Sequence, residues 1–293
     1  MDTRVARKPL RAAGFAVVLT AALAACGSQS AGSSSGASAT PLSTIRLAAE
    51  TSDNANSFTG TMSLKSTAKA GGSTSDDAAF NATFAEQLHP SLVAEVTFAS
   101  LSTAGSTLPG SMTEILTTKT LYMKWAYLTQ LLHTTKPWLA LPLSTLGKSS
   151  GINLSQLLGQ AGSSSPLSES QLLGGATSVR KVGTGTLDGV AVTEYAGTLS
   201  LGKGIKYLSA SNRAAVQKQL TAAGLTTATF TVWIDGKSTV RKAIINENGT
   251  TVSDTITVAI TSINQPVGVT IPAASQTSAL PTSGDLSSAT SDQ

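Results

Sequence analysis

Phe58-Thr59-Gly60-Thr61-Met62-Ser63-Leu64-Lys65 is the stretch that decides the fold. Phe58, Gly60, Met62 and Leu64 fall on one side of an extended chain, and Thr59, Thr61, Ser63 and Lys65 on the other. That period of two marks a half-buried strand. Outward along the chain it recurs in Phe80, Ala82 and Phe84, and again in Leu92, Ala94, Val96 and Phe98 after the break at His89-Pro90. Leu121, Met123 and Trp125 oppose Thr120, Tyr122 and Lys124. Phe230, Val232 and Ile234 alternate with Thr229, Thr231 and Trp233, as do Ile256, Val258 and Ile260 with Thr255, Thr257 and Ala259. Asp188-Gly189, Asp235-Gly236 and Asn248-Gly249 separate such runs and favour tight hairpins. A positive φ is expected at Gly189 and Gly236. The whole reads as a long antiparallel meander with one apolar and one polar face.

Helical spacing interrupts the strands. Residues 152–174 carry Leu154, Leu157, Leu158 and Ala161 at i, i+3, i+4 and i+7, and Gly162 and Pro166 divide them from a second helix with Leu167, Leu172 and Leu173. Residues 209–223 offer Ser211 and Asn212 as caps, Val216 and Leu220 as an apolar side, and Gly224 as a stop. A third helix is expected around Leu42 to Ala55. These helices are too few to cover both faces of so large a sheet. The expected fold is therefore α+β, a strongly curved antiparallel sheet with a few helices on its apolar, concave face.

The N-terminus has its own logic. Arg4, Arg7, Lys8 and Arg11 form a basic leader, and Gly14 to Ala25 then runs without a charge. That run is shorter than the roughly 20 apolar residues a membrane span needs, but it suits the core of an export signal. It ends on Leu23-Ala24-Ala25-Cys26-Gly27, which resembles the bacterial lipobox. A small Ala25 fits a signal peptidase, and the Cys26 thiol is the group that takes a diacylglyceryl chain. No adjacent Arg pair precedes the apolar run, which points to the general secretory route. Cys26 is the only cysteine in 293 residues, so no internal disulfide is available and core burial must hold the domain together.

Charge narrows the function. The leader holds four of the 20 Lys and Arg and one of the 16 Asp and Glu, which leaves 16 against 15 in the remainder. No basic stripe survives for nucleic acid, and an aromatic content of 4% gives few stacking platforms. His89 and His133, far apart and without a second cysteine, do not make a metal site. Gly183-Thr184-Gly185 and Gly202-Lys203-Gly204 lack the phosphate-loop pattern, and no Gly-x-Ser-x-Gly elbow occurs. Asp76-Asp77 would point to opposite sides of a strand. Neither an enzyme nor a cofactor is expected. What remains is a wide apolar surface, and mostly apolar concavities are the usual small-ligand sites.

The order of motifs resembles a known family. Leu121-Tyr122-Met123-Lys124-Trp125 leads to Trp138, then to Val182-Gly183-Thr184-Gly185-Thr186-Leu187-Asp188-Gly189-Val190 and Thr193-Glu194-Tyr195-Ala196-Gly197. Val232-Trp233-Ile234-Asp235 follows, and the series closes on Asn264-Gln265-Pro266-Val267-Gly268-Val269-Thr270-Ile271-Pro272. Together with the lipobox and a Ser-rich tether, this is similar to the actinobacterial LppX/LprA/LprF/LprG lipoproteins, which share the LolA half-barrel. A Ser-, Leu- and Gly-rich insert near 144–178 departs from them.

The resemblance implies a lipid carrier without catalytic residues. Its ligand would be an acylated lipid or lipoglycan, carried through the envelope from the extracytoplasmic face of the cell membrane. Diacylglyceryl-Cys26 and palmitate would supply the anchor, and a membrane transporter is a candidate partner. The alternative is an envelope-stress regulator whose LolA-like domain binds a partner protein. Residues 1–25 are then the signal peptide, 26–43 the lipidated Cys and tether, 44–272 the half-barrel, and 273–293 a disordered tail. The residues expected to line the cavity are Phe58, Met62, Phe80, Phe84, Val96, Phe98, Leu121, Met123, Phe230, Val232, Ile256 and Val258.

Overall fold

The computed structural model describes residues 40–69, 78–103, 106–144, 171–208 and 210–279. The readings on the signal, Cys26, the tether to residue 39, Asp76-Asp77, the helices within 152–170 and the tail past 279 lie outside these residues. So do the side chains of Ser211 and Asn212.

Helix α1 (Pro41–Asp53) begins where Thr40 caps it: the hydroxyl accepts from the Ser43 amide at 3.2 Å, and Pro41 takes the first turn, where no amide is needed. It thus claims Pro41, Leu42 and Ser43 from the segment assigned to the tether. Seven strands follow: β1 (Ser57–Ala68), β2 (Ala78–Gln87), β3 (Val93–Thr103), β4 (Ser106–Thr107), β5 (Met112–Thr117), β6 (Thr120–Trp125) and β7 (Trp138–Pro142). A short helix that the alternation did not announce, α2 (Ala126–Leu131), links β6 to β7. The chain resumes in β8 (Ala176–Leu187) and β9 (Val190–Ser200), then α3 (Leu201–Gly204) and α4 (Ala210–Ala223). It ends through β10 (Thr227–Asp235), β11 (Val240–Asn248), β12 (Val252–Ile263) and β13 (Thr277–Ala279).

All thirteen strands join one open, curved sheet in the order β13-β7-β6-β5-β3-β2-β1-β12-β11-β10-β9-β8, with β4 paired to β3. The expected single meander is therefore two. One runs from β1 to β7, the other from β8 to β12, and the antiparallel β1–β12 pair sews them together. Among the described strands only β13 pairs parallel, on β7. It belongs to the segment assigned to the tail. The Ser/Thr-rich composition hid it because its hold is polar: Thr134 and Ser278 share a hydrogen bond of 2.7 Å, and Lys136 Nζ donates to the Thr277 carbonyl at 2.9 Å.

The apolar stripes define one face, on which α1, α3 and α4 lie. Ile45 and Ala48 of α1 are wholly buried against Leu173, Leu199, Phe230 and Val232. Helix α4 ends at Gly224, in the left-handed region at φ +65°, as its stop signal requires. Asp188 and Gly189 both take positive φ, at 48° and 79°, and close β8 onto β9 as a two-residue hairpin. The β10–β11 turn differs from expectation. Its left-handed residue is Ser238, at φ 59°, and not Gly236. The Asp235 carboxylate organises this turn by accepting from the amides of Lys237 at 2.8 Å and Thr239 at 3.0 Å, and it pairs with Arg241 at 2.8 Å. This longer Asp-centred loop moves the strained position two residues along.

Candidate functional site

Strand register shows where the twelve expected lining residues point, because directly opposed residues share a face. Met62 faces Val258, Leu64 faces Ile256, and across the other edge of β1 they face Ala82 and Phe80. Phe84 opposes Val96, and Ala82 opposes Phe98. Ile245 and Ala243 relay the face from Ile256 and Val258 to Phe230 and Val232. Glu114 relays it from Val96 to Met123, with Leu121 two residues away. All twelve thus project from the same face of the sheet.

They divide into separate packing groups. Phe58, Phe80, Phe84, Val96, Phe98 and Val258 form one buried cluster over β12, β1, β2 and β3, with Met62 and Ile256 at its margin. Phe58 meets Phe84 edge to face at 5.6 Å, and Phe80 meets Phe98 at 5.5 Å. Phe230 and Val232 belong instead to the cluster under α1, α3 and α4. Leu121 packs with Leu116 and Leu143, while Met123 stays half-buried. Glycine makes room for rings in both large clusters. The Phe84 ring lies over Gly60 and the Phe230 ring over Gly197, each directly opposite on the neighbouring strand.

Two concavities among the described residues bear on a ligand site. The smaller, about 60 Å³, lies between the end of α1 (Thr51, Ser52) and Phe58, Ile260 and Ile263. That is well below the roughly 300–1,000 Å³ of a ligand pocket. The larger, about 470 Å³, is a shallow depression around Gly197, edged mostly by polar-face side chains such as Ser178, Arg180, Thr198, Thr229 and Asn246, and reached by Phe230 alone of the twelve expected residues.

Sequence reasoning missed four acids on the apolar face. Glu86, Glu114 and Glu247 are buried there, and Asp254 stands directly opposite both Glu247 and Ser66. Alternation contains the signal: Glu86 is in phase with Phe80, Ala82 and Phe84, Glu114 with Leu116, Glu247 with Ile245, and Asp254 with Ile256 and Val258. Burial pushes the Glu114 carboxyl up to about 7. Burial, reinforced by the charge of Asp254, does the same to Glu247, also to about 7. Asp254 is raised by burial against the opposing pull of the Ser66 hydroxyl. Among the described residues no three or more His, Cys, Asp or Glu gather as a metal site, and no helix is long and apolar enough to cross a membrane.

No family model and no curated protein matches the sequence. Solved structures do. LprF from Mycobacterium bovis aligns over 80% of this chain and 97% of its own, at 12% identity and a TM-score of 0.51. The Mycobacterium tuberculosis lipoprotein LppX aligns over 78% and 97%, at 18% identity and a TM-score of 0.44. The likeness to the first of these is one of fold, and the chain has the LprF-like half-barrel architecture.

Proposed function

We propose that this chain is a lipoprotein that carries an acylated lipid or lipoglycan on its apolar face. Export would proceed through residues 1–25, and Cys26 would receive the diacylglyceryl anchor that holds the protein at the extracytoplasmic face of the membrane. The observation that carries the reading is the uneven cover of that face. Among the described residues, the larger helix contacts fall on the β8–β11 half, whereas the apolar side of β12, β1, β2 and β3 packs mainly on its own phenylalanines. Five of the six phenylalanines in the chain lie on this face, four of them in the self-packed cluster.

Aromatic rings turned on one another can be parted by acyl chains without exposing apolar area to water. Each CH₂ buried there contributes roughly 0.8 kcal/mol, which competes with the same burial in a membrane. Uptake and release are then nearly balanced, as a carrier requires. Native mass spectrometry of the chain bearing Cys26→Ser, prepared without detergent, tests this. A lipid adduct of defined mass is expected. A stoichiometric protein partner and no lipid would replace carriage by signalling. In parallel, Cys26→Ser should abolish palmitate incorporation, and persistent label would remove the anchor assignment.

A further inference from the structure

Glu114 sits where an apolar face should not hold a carboxyl group. It lies in the middle of β5, directly opposite Val96 on one side and Met123 on the other, with Met112 and Leu116 two residues away on the same face. The residue is only 7% exposed, and its buried Oε2 atom has no hydrogen-bond partner. Lys124, the next basic side chain along β6, belongs to the opposite face, since it pairs with Thr113. Buried polar groups are almost always hydrogen-bonded, because an orphaned one costs the desolvation it suffered. An unpartnered oxygen among methionines and valine therefore lacks a donor that none of the described residues provides.

We propose that Glu114 is the polar subsite of the lipid-binding face and accepts a hydrogen bond from a hydroxyl group of the cargo. The inference rests on the carrier reading and sharpens it. The preferred ligand is an acylated lipid that keeps a free hydroxyl beside its ester-linked chains, such as a diacylglycerol-type or sugar-bearing lipid, over one fully esterified. The surroundings fit such an entrant. Met112, Met123 and Trp125 beside the carboxyl are only half-buried, and methionine adapts readily to new neighbours. Burial holds the group near 7, so protonated and ionised forms coexist around neutrality, and each keeps an acceptor oxygen. An anionic headgroup would meet repulsion from the ionised form, whereas a hydroxyl suits both.

The test is a one-pot competition between 1,2-dioleoylglycerol and its 3-O-methyl ether, which differ by the donor. The full chain with Cys26→Ser is equilibrated with equal amounts, and bound lipid is quantified by mass spectrometry. The unsubstituted site should retain the alcohol over the ether by about tenfold or more, the usual range for a hydrogen bond to a charged acceptor. Glu114→Leu should bind both equally while melting no lower than the parent. Glu114→Gln, which keeps a carbonyl acceptor, should preserve most of the preference. Equal binding by the parent, or an undiminished preference in Glu114→Leu, would overturn the subsite and leave lipid carriage intact. Binding of neither lipid would overturn carriage and the subsite together.

Discussion

The two halves of the sheet bury apolar side chains by different means. From β8 to β11, helices supply the cover: Ile45 and Ala48 from α1, Leu201 from α3, and Val216 and Leu220 from α4 seal Phe230, Val232 and Ile245. From β12 to β3 the described residues fill the face chiefly from within, by Phe58, Phe80, Phe84 and Phe98 in edge-to-face pairs. Both halves use the same local device, a phenylalanine ring over a strand glycine, Gly197 in one and Gly60 in the other. Equal burial therefore does not mean equal commitment. A side chain held by a docked helix has one partner set, and on the carrier reading a ring held by other rings would trade them for an acyl chain.

Matched truncations would separate the halves most sharply. Phe230→Ala and Phe98→Ala each remove a buried ring, which costs roughly 3–5 kcal/mol where the surroundings cannot collapse. Under the helices, added lipid should not restore Phe230→Ala. In the self-packed half, lipid should fill the space left by Phe98→Ala and raise its melting temperature toward the parent's, since a ligand that binds only the folded state stabilises it by mass action. Denaturant melts of both variants, with and without dioleoylglycerol, check this. Equal rescue of the two would erase the distinction.

A second contrast lies in the acids. Glu114 faces Val96 and Met123, in the self-packed region that also buries Glu86, while Glu247 and Asp254 face one another where β11 meets β12. The Glu114, Glu247 and Asp254 carboxyls are raised in the folded state, so the folded protein binds more protons than the unfolded one. Stability from this source is complete below the unfolded carboxylate range and is lost as pH rises through about 7. Glu114 alone should make the domain roughly 2 kcal/mol less stable at pH 8 than at pH 5. Glu114→Gln should flatten part of that slope and leave the portion due to Glu247 and Asp254. Chemical denaturation across pH 5–8 reads both portions, and a parent that is more stable at pH 8 would reverse the assignment.

These contrasts show where the chain was legible. Strict alternation in Phe58–Leu64 and Ile256–Ile260 located strands and their shared face, because side-chain direction is a local property of extended backbone. Helix α4 was legible from Val216, Leu220 and the stop at Gly224, and α1 in its location around Leu42 to Ala55. Topology was not. Nothing local tells β1 to pair with β12, some 200 residues away, or β8 to take the far edge. The acids escaped because a carboxylate in an apolar phase reads as an error in the pattern, although Glu114 and Glu247 keep that phase faithfully. Strand β13 escaped because its hold is backbone pairing and hydroxyl contacts, which composition does not register.

The smallest expected effect separates two turns that look alike in sequence. Asp188-Gly189 and Asp235-Gly236 are the same dipeptide between strands, yet only Gly189 takes a positive φ, at 79°. Nothing lies within 4 Å of where a Cβ would stand on either Gly189 or Gly236, so crowding plays no part in the difference. Gly189→Ala must hold alanine in the left-handed region and should cost about 1 kcal/mol. Gly236→Ala carries no such strain and should leave stability within about 0.5 kcal/mol of the parent. In the second turn the strained position is Ser238, at φ 59°, held there by the Asp235 carboxylate bonds to Lys237 and Thr239. Ser238→Gly should accordingly be neutral or slightly stabilising, because relief of the left-handed serine offsets the extra freedom of an unfolded glycine. Three melts under one condition decide it. A cost at Gly236 equal to that at Gly189 would mean that both dipeptides form the same two-residue turn, and that the Asp235 loop does not set the β10–β11 register.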